Sequence, residues 1–412
     1  MKTLKIIFLM ILISGIFWGK GTYADVVQLS SGDAVVGDSL GSSVSISGNY
    51  AIAGCPRDSG VAGTDSGSVQ IFFLSPTGWI QQVKLTADDA AAGDRFGQTV
   101  SMRGDYFIVG APGKSGRQVG TGVAYIFFRS ETGWVQQAKL TAPDAEAEDV
   151  FGFSVAMDGD TVIIGAYRSN APAADSGAAY IFMRRGTDWI QQAKLTANDG
   201  KPFDWFGYSV AISGDTAVIG AIRNDARGED SGAAYIFVRN ASEWVQQAKL
   251  VGDNTTTRDG FGFSVAVSGN TVIVGSPKNG DTGSAYIFEL EEGVWKQQRN
   301  RVRLSMFPWD KAGNGFGYSV AISGDTAVIG AVTTKVGEDA WGAAYIVTPD
   351  GPFWGQRAKL LASNGRAGDD FGFAVAISGD VLIAGSPNHS VGGPASGAAY
   401  IFGRVDEEWT ER

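Results

Sequence analysis

Residues 206–221 read FGYSVAISGDTAVIGA, residues 232–239 read GAAYIFVR, and residues 243–250 read EWVQQAKL. Each run is rich in apolar residues, and the turn Gly214-Asp215 divides the first run in two. Short apolar runs broken by Gly-Asp turns are typical of antiparallel strands joined by hairpins. This stretch therefore predicts four consecutive β-strands, and no segment of helical period competes with that assignment.

The same stretch recurs along the chain. Phe-Gly recurs at intervals of 55 residues, and a further copy with Leu in place of Phe begins 56 residues before the first of them. Seven units of four strands, with glycine and aromatic residues repeated in each, predict an all-β, seven-bladed β-propeller over residues 25–412, with four antiparallel strands per blade. The repeated positions are Leu40, Phe96, Phe151, Phe206, Phe261, Phe316 and Phe371, and Trp79, Trp134, Trp189, Trp244, Trp295, Trp354 and Trp409.

The order of strands within a blade follows from side-chain size. The first strand, with its Ser, Val and Ala residues, is expected nearest the axis, where the blades crowd together. The tryptophan strand is expected outermost, where a large ring fills the space between blades. The sequence stops at Trp409-Thr-Glu-Arg412, and the missing half of that strand reappears as Val27-Gln28-Leu29. We expect the two segments to complete one blade, which leaves no free sheet edge.

Residues 1–24 differ in composition from the repeats. Met1–Lys5 carries two lysines, Ile6–Trp18 is an apolar run of 13 residues, and small residues precede Asp25. This pattern predicts a secretory signal peptide. We therefore expect the mature chain outside the cell or in the periplasm, free or associated with the cell surface, with no membrane insertion after cleavage. An uncleaved anchor is the alternative.

Composition excludes several classes of function. The chain has 33 basic and 43 acidic residues, a net charge of −10. A nucleic-acid partner is not expected, because binding phosphates requires basic surface. Cys55 is the only cysteine and His389 the only histidine, which excludes disulfide frameworks and sites that need several thiolates or two imidazoles. We expect a monomer without a cofactor.

The motif FG-x-SVA, followed by VIGA or IVGAP and then GAAYIF, resembles the FG-GAP repeat of integrin alpha-subunit propellers and their bacterial relatives. The resemblance covers residues 25–412, and it implies an extracellular propeller that binds proteins or glycans, as in adhesion. Integrin-type repeats often carry a calcium loop between the first two strands. Here that connection is only Ser213-Gly214-Asp215 or an equivalent, too short for the about six to eight oxygen ligands that calcium requires. We therefore expect no metal site.

Two repeated positions fall at one end of each predicted blade. An Asx residue stands two before the Phe or Leu, where it is able to cap the turn into the first strand. A basic residue stands three after the second-strand glycine in four units, at Arg57, Arg168, Arg223 and Lys278. A ring of Asp–Arg pairs is the first interpretation, and a cationic channel mouth that takes an anionic ligand is the alternative. The Asx residues are Asp38, Asp94, Asp149, Asp204, Asp259, Asn314 and Asp369.

The candidate ligand-binding residues are those that break the repeat. Within residues 25–412, three tryptophans lie outside the repeated position, in loops that share one face of a propeller. A phenylalanine and three arginines lie in the irregular segment before Phe316. Aromatic side chains on loops often hold sugars or partner proteins, although packing against neighbouring loops is the alternative. These residues are Trp205, Trp309, Trp341, Phe307, Arg299, Arg301 and Arg303.

Catalysis is the least favoured function. A serine triad would have to use His389, and no G-x-S-x-G motif accompanies it. The carboxylates show no pairing that would suit a glycosidase. We therefore expect a binding or adhesion module that recognises an extracellular protein or glycan through its loop face, rather than an enzyme. A structural surface-layer component and a polysaccharide-active enzyme are the alternatives.

Overall fold

The computed structural model describes residues 27–116, 118–280, 282–298, 315–336, 339–351, 353–406 and 408–411. Seven antiparallel sheets follow one another in chain order, and in all but the last the four strands of the sheet come from one continuous stretch of sequence. This confirms the predicted all-β, seven-bladed β-propeller. Within these ranges the chain forms no helix, so none that could cross a lipid bilayer.

The blades have nearly uniform strand bounds. Blade 1 contains Ser43–Ser47, Tyr50–Cys55, Ser68–Ser75 and Gly78–Leu85. Blade 2 contains Thr99–Arg103, Tyr106–Ala111, Val123–Ser130 and Gly133–Leu140. Blade 3 contains Ser154–Asp158, Thr161–Ala166, Ala178–Arg185 and Asp188–Leu195. Blade 4 contains Phe206–Ser213, Thr216–Ala221, Ala233–Asn240 and Glu243–Leu250.

The later blades include two departures from this pattern. Blade 5 contains Ser264–Ser268, Thr271–Ser276, Ser284–Glu291 and Val294–Gln297. Blade 6 contains Phe316–Ser323, Thr326–Ala331, Ala343–Asp350 and Phe353–Leu360, with a small extra ladder of Lys335–Val336 and Asp339–Ala340 between its second and third strands. Blade 7 contains Val375–Ser378, Val381–Ser386, Ala398–Val405 and a fourth strand made of two segments, Gln28–Leu29 and Glu408–Glu411.

The divided fourth strand closes the ring. Leu29 pairs with Ala399, and Glu408 pairs with Val405, so the two segments occupy different parts of the same partner strand. Leu29 is 3% exposed and packs in a core cluster that also contains Ile401. The predicted closure is therefore confirmed.

The Phe-Gly dipeptide joins each blade to the next. Phe96 is fully buried, and Gly97 has a φ of +91°. A Cβ on Gly97 would collide with the carbonyl oxygen of Ser68, so only glycine fits. A parallel bridge links Gly67, at the end of the loop between strands 2 and 3 of blade 1, to Phe96. Equivalent bridges recur around the ring, so these loops and the connections between blades form one face, which we call the loop face.

The predicted order of strands within a blade is also confirmed. The first strands surround an axial channel of about 500 Å³ lined by residues such as Val155, Ala211 and Ser323. The repeated tryptophans lie on the outermost strands, and several bond to the preceding blade. Trp189 Nε1 donates to Gln137 at 2.9 Å, and Trp295 Nε1 donates to Gln247 at 2.7 Å. Each blade is thus packed and hydrogen-bonded to its neighbour.

Candidate functional site

Five aromatic rings from successive blades form an arc around the axis. Each ring is the residue between Phe-Gly and Ser or Ala in its blade, and each is half-buried. Ring centroids of neighbouring blades are 5.1, 5.4, 4.9 and 4.9 Å apart. Equivalent residues of different blades approach this closely only near the axis. We call this arc the aromatic collar; its members are Phe153, Tyr208, Phe263, Tyr318 and Phe373.

Polar residues complete the circle that the collar begins. Ser42 and Gln98 occupy the equivalent positions of blades 1 and 2, and both are half-buried. No collar ring lines the axial channel, whose walls are the parts of the first strands that follow. The collar therefore lies at the loop-face end of the axis. Sequence analysis did not select these residues, although the alternation FGFSVA and FGYSVA in successive repeats carried the signal.

The collar tyrosines remain neutral over the physiological range. Burial raises the pKa of the Tyr208 hydroxyl, and the nearby Tyr318 and Tyr167 hydroxyls raise it further. Burial likewise raises the pKa of Tyr318, with Asp370 adding to the effect. The collar therefore presents uncharged rings whose faces attract cations and apolar groups.

Trp205 extends the aromatic cluster from the collar toward the loops. Its ring centroid lies 5.0 Å from Tyr167 and 6.3 Å from Tyr208. The guanidinium carbon of Arg223 lies 4.3 Å from the centre of the Trp205 ring. Trp205 is half-buried, and its Nε1 is buried without a hydrogen-bond acceptor among the described residues. The predicted candidate thus lies on the loop face, partly packed against its neighbours.

A pocket of about 270 Å³ opens beside Trp205 between blades 4 and 5. We call it the Trp205 pocket. The residues that line it come from two connections between blades and two loops between strands 2 and 3. They are Trp205, Ile222, Arg223, Asp230, Arg258, Asp259, Gly260, Phe263, Pro277 and Lys278.

Trp341 lies on the same face but in a different place. It follows the extra ladder of blade 6, and its backbone N–H donates to Thr334. Its ring lies against Gly365 of the connection to blade 7, so closely that a Cβ there would collide with it. Trp341 and Trp205 belong to blades 6 and 4, and no ring contact joins them in the part of the chain that the structure describes. The two predicted residues therefore do not form one cluster.

Five of the predicted candidates lie outside the described residues. These are Trp309, Phe307, Arg299, Arg301 and Arg303, and the predicted signal peptide lies outside as well. Their roles stay predictions.

The repeated Asp residues cap turns, as the sequence indicated. Asp94 accepts a hydrogen bond from the Ala91 N–H, and Asp204 accepts one from Lys201. The expected Asp–Arg pairing is wrong, however. Arg168 contacts Glu148 and Asp175, and Arg223 contacts Asp230.

In four blades the repeated Asp instead pairs with the side chain four residues after the second-strand glycine, one position beyond the expected one. Asp94 pairs with Lys114, Asp204 with Asn224, Asp259 with Asn279 and Asp369 with His389, at 2.7, 2.8, 2.6 and 2.6 Å.

His389 therefore occupies a structural position of the repeat. It is 3% exposed, and its ring lies edge-on to Tyr400. Lys114, Ser169, Asn224 and Asn279 occupy the same position in other blades. The described residues also include no group of three or more His, Cys, Asp or Glu side chains placed to hold a metal ion. The structure gives no positive indication of a catalytic or metal site in these ranges.

The match to a known protein family recurs once for each blade. The sequence model of the FG-GAP repeat matches seven segments, residues 23–72, 79–127, 134–182, 189–237, 244–288, 310–347 and 354–402. No curated protein matches the chain. Among solved structures, Saccharomyces cerevisiae Sqt1 aligns with a TM-score of 0.49 and 11% identity, over 92% of this chain and 85% of that one.

Proposed function

Since the chain belongs to the FG-GAP repeat family, we propose that it is a secreted or cell-surface module that binds a partner protein with the loop face of its propeller. FG-GAP propellers suggest ligand binding or adhesion, and FG-GAP repeats are typically extracellular. The predicted signal peptide at residues 1–24 agrees with export.

The aromatic collar is the observation that carries this proposal. Its five half-buried rings converge on the axis, and neighbouring centroids are about 5 Å apart. An aromatic face attracts a cation with about 0.5–2 kcal/mol, more when water is excluded. A basic side chain inserted along the axis would contact several rings at once. The chain's net charge of −10 would also favour approach of a basic partner surface.

The loop face also carries exposed apolar side chains. Phe203 is 53% exposed in the connection into blade 4, and Val61 and Val119 are exposed in loops between strands 2 and 3. The opposite face is made of the Gly-Asp and Gly-Asn turns, where Arg129 and Arg184 pair with acids, and of the hairpins between strands 3 and 4. Other exposed apolar side chains, such as Ile190, Val294 and Phe353, lie on the fourth strands, so the proposal rests on the collar rather than on exposed apolar groups.

Titration with a small basic probe tests the collar directly. We expect N-acetyl-arginine N-methylamide to bind more tightly than its neutral citrulline counterpart, measured by ligand-observed NMR. Tyr318→Ser should weaken binding of the arginine probe by about fivefold or more, because one of the aromatic rings that surround the cation is lost. Serine is compatible with this position, since Ser42 occupies it in blade 1.

Tyr106→Ser is the matched control. Tyr106 is another half-buried aromatic residue, at the start of a second strand on the opposite face. It should leave probe binding unchanged. Equal binding of the arginine and citrulline probes would overturn the collar as a cation site, and binding to a glycan array without binding to the arginine probe would assign glycans instead.

A further inference from the structure

The Trp205 pocket concentrates positive charge on an acidic chain. Arg223, Arg258 and Lys278 line it, against the two acids Asp230 and Asp259. Asp259 is 4% exposed, and its Oδ2 already accepts hydrogen bonds from Thr256 and Asn279. The pocket therefore has one more positive than negative charge, while the whole chain has a net charge of −10.

Arg223 is held in a fixed orientation at the pocket wall. Its guanidinium lies over the Trp205 ring at 4.3 Å, and its Nε lies 3.4 Å from Asp230 Oδ1. Stacking on a ring and anchoring through Nε leave the terminal N–H groups of the planar fork to a ligand. An arginine fixed in this way is suited to bidentate binding of a carboxylate, and it loses little conformational entropy on binding.

The two other cations are more exposed. Arg258 contacts Glu229 at 3.3 Å, with its side chain 72% exposed. Lys278 is exposed and forms no ion pair with any residue that the structure describes. Both side chains are exposed enough to close over an anion that Arg223 has oriented, Lys278 directly and Arg258 by leaving Glu229.

Apolar residues form the rest of the wall. Ile222, Phe263 and Pro277 line the pocket beside the cations. A sugar acid would place several hydroxyl groups against these side chains and lose their hydrogen bonds to water. A carboxylate joined to an apolar group would pair with the basic residues of the wall and pack against its apolar residues.

We propose that the Trp205 pocket binds a carboxylate of an acidic peptide segment, an Asp or Glu side chain flanked by an apolar residue. The pocket shares Phe263 with the collar, so a segment in the pocket would lie beside the axis. This assignment rests on the proposed function only in taking the ligand from a protein. The acidic side chain in the pocket would be a second contact with the partner protein, of opposite charge to the basic group expected at the collar.

Two matched peptides test the assignment on the full chain. Calorimetric titration should show that acetyl-Leu-Glu-amide binds and that acetyl-Leu-Gln-amide, which lacks only the charge, binds at least about tenfold more weakly. Binding of the acidic peptide should weaken as salt is raised from low to physiological concentration. Glucuronate and inorganic phosphate, titrated separately, should bind more weakly than the acidic peptide.

Single substitutions locate the site. Arg223→Gln and Lys278→Met should each weaken the acidic peptide by about tenfold. Lys278 is exposed, so its substitution tests the pocket even if loss of Arg223 from the Trp205 ring lowers stability. Arg168→Gln is the matched control, because Arg168 is the blade 3 equivalent of Arg223, has similar exposure and does not line the pocket.

The collar variant separates this proposal from the previous one. Tyr318 does not line the Trp205 pocket, so Tyr318→Ser should leave the acidic peptide bound as tightly as before. Equal affinity for the Glu and Gln peptides, or no effect of Lys278→Met and Arg223→Gln, would overturn the assignment. Tighter binding of glucuronate or phosphate than of the acidic peptide would overturn it as well.

Discussion

The ring of Phe373 lies 4.9 Å, centre to centre, from the ring of Tyr318, across the boundary between blades 7 and 6. Two residues earlier in the same connection between blades, Phe371 is 1% exposed and packs in the core between these blades. One repeat thus contributes a core ring and a collar ring from nearly adjacent positions. The first stabilises the fold, and the second faces the loop end of the axis.

These two phenylalanines should respond differently to truncation. Phe371→Ala should lower the free energy of unfolding by about 3–5 kcal/mol, because it leaves a cavity in a closed core. Phe373→Ala should cost clearly less, because its ring is half-buried. Chemical denaturation of both variants measures the difference. An equal or larger loss for Phe373→Ala would mean that the collar is core packing.

Asp94 and Asp149 occupy the same repeat position and should respond in opposite directions. Asp94 pairs with Lys114, and both side chains are at most 8% exposed. Asp94→Asn leaves that lysine largely buried, with the Asp89 carbonyl as a hydrogen-bond acceptor and the more distant Asp89 carboxylate at 3.7 Å as its remaining anion. The substitution should destabilise the fold by roughly 3 kcal/mol. Asp149 has a buried Oδ1 without a hydrogen-bond partner among the described residues.

The direction in which Asp149→Asn should change the stability follows from the pKa of Asp149. Burial raises the pKa of Asp149, and the Glu146 N–H only partly opposes this. The folded state therefore holds this proton more tightly than the unfolded chain does. The resulting stabilisation is present below the unfolded pKa of about 3.9 and is lost as the pH rises through the folded pKa. Asp149→Asn should thus leave Tm at pH 7 unchanged or higher, and a marked decrease in calorimetric Tm would contradict this.

Closure of the ring depends on a few residues near the N-terminus. Leu29→Ala should destabilise the protein by about 2–5 kcal/mol, because Leu29 is buried in the core between blades 7 and 1. Deletion of residues 25–29 should lower Tm further, since the third strand of blade 7 then loses part of its partner. Val36→Ala, at an exposed position, is the control. An unchanged melting temperature for the deletion would refute closure by the two segments.

Trp341 and Trp354 allow a comparison within one blade. Trp354 is 5% exposed and its Nε1 donates to Glu289 at 3.0 Å, so Trp354→Ala should cost about 3–5 kcal/mol of folding. Trp341 is half-buried against Gly365. Trp341→Ala should therefore lower the free energy of unfolding by less than Trp354→Ala does, while it weakens binding of the partner protein by about 1–3 kcal/mol. Thermal melts and one binding assay measure both. If Trp341→Ala unfolds the protein as Trp354→Ala does, Trp341 is a packing residue.

The fold was predictable because the same pattern of strands and turns recurs in every blade at nearly the same spacing. Phe-Gly, the Gly-Asp turns and the outer tryptophans each indicate one local feature of the structure. A single copy of such a motif would be ambiguous, but seven copies at regular spacing are not. Closure was predictable because Gln28–Leu29 completes the strand that Glu408–Glu411 begins. The partner of Asp204 was not predictable to the residue, because the conformation of the turn decides whether the side chain of Arg223 or that of Asn224 points inward.

The collar shows the other limit of sequence reasoning. Phe153 and Tyr208 look like ordinary strand residues in their own repeats, and only the ring geometry brings them together. Trp205 and Trp341 attract notice because they break the repeat, yet their blades are not adjacent. Sequence pattern identified the face, whereas the structure identified which side chains on that face converge.

Photo-cross-linking tests the central claim, binding at the loop-face end of the axis, most directly. Tyr318→p-benzoylphenylalanine places a photoreactive ring in the collar, and Tyr106→p-benzoylphenylalanine places one on the opposite face. With extracellular and cell-surface proteins of the source organism, irradiation should give a discrete cross-linked partner from position 318 and none from position 106, and excess arginine probe should reduce that product. Cross-linking from position 106 alone, or a product at 318 that the probe does not affect, would contradict the account.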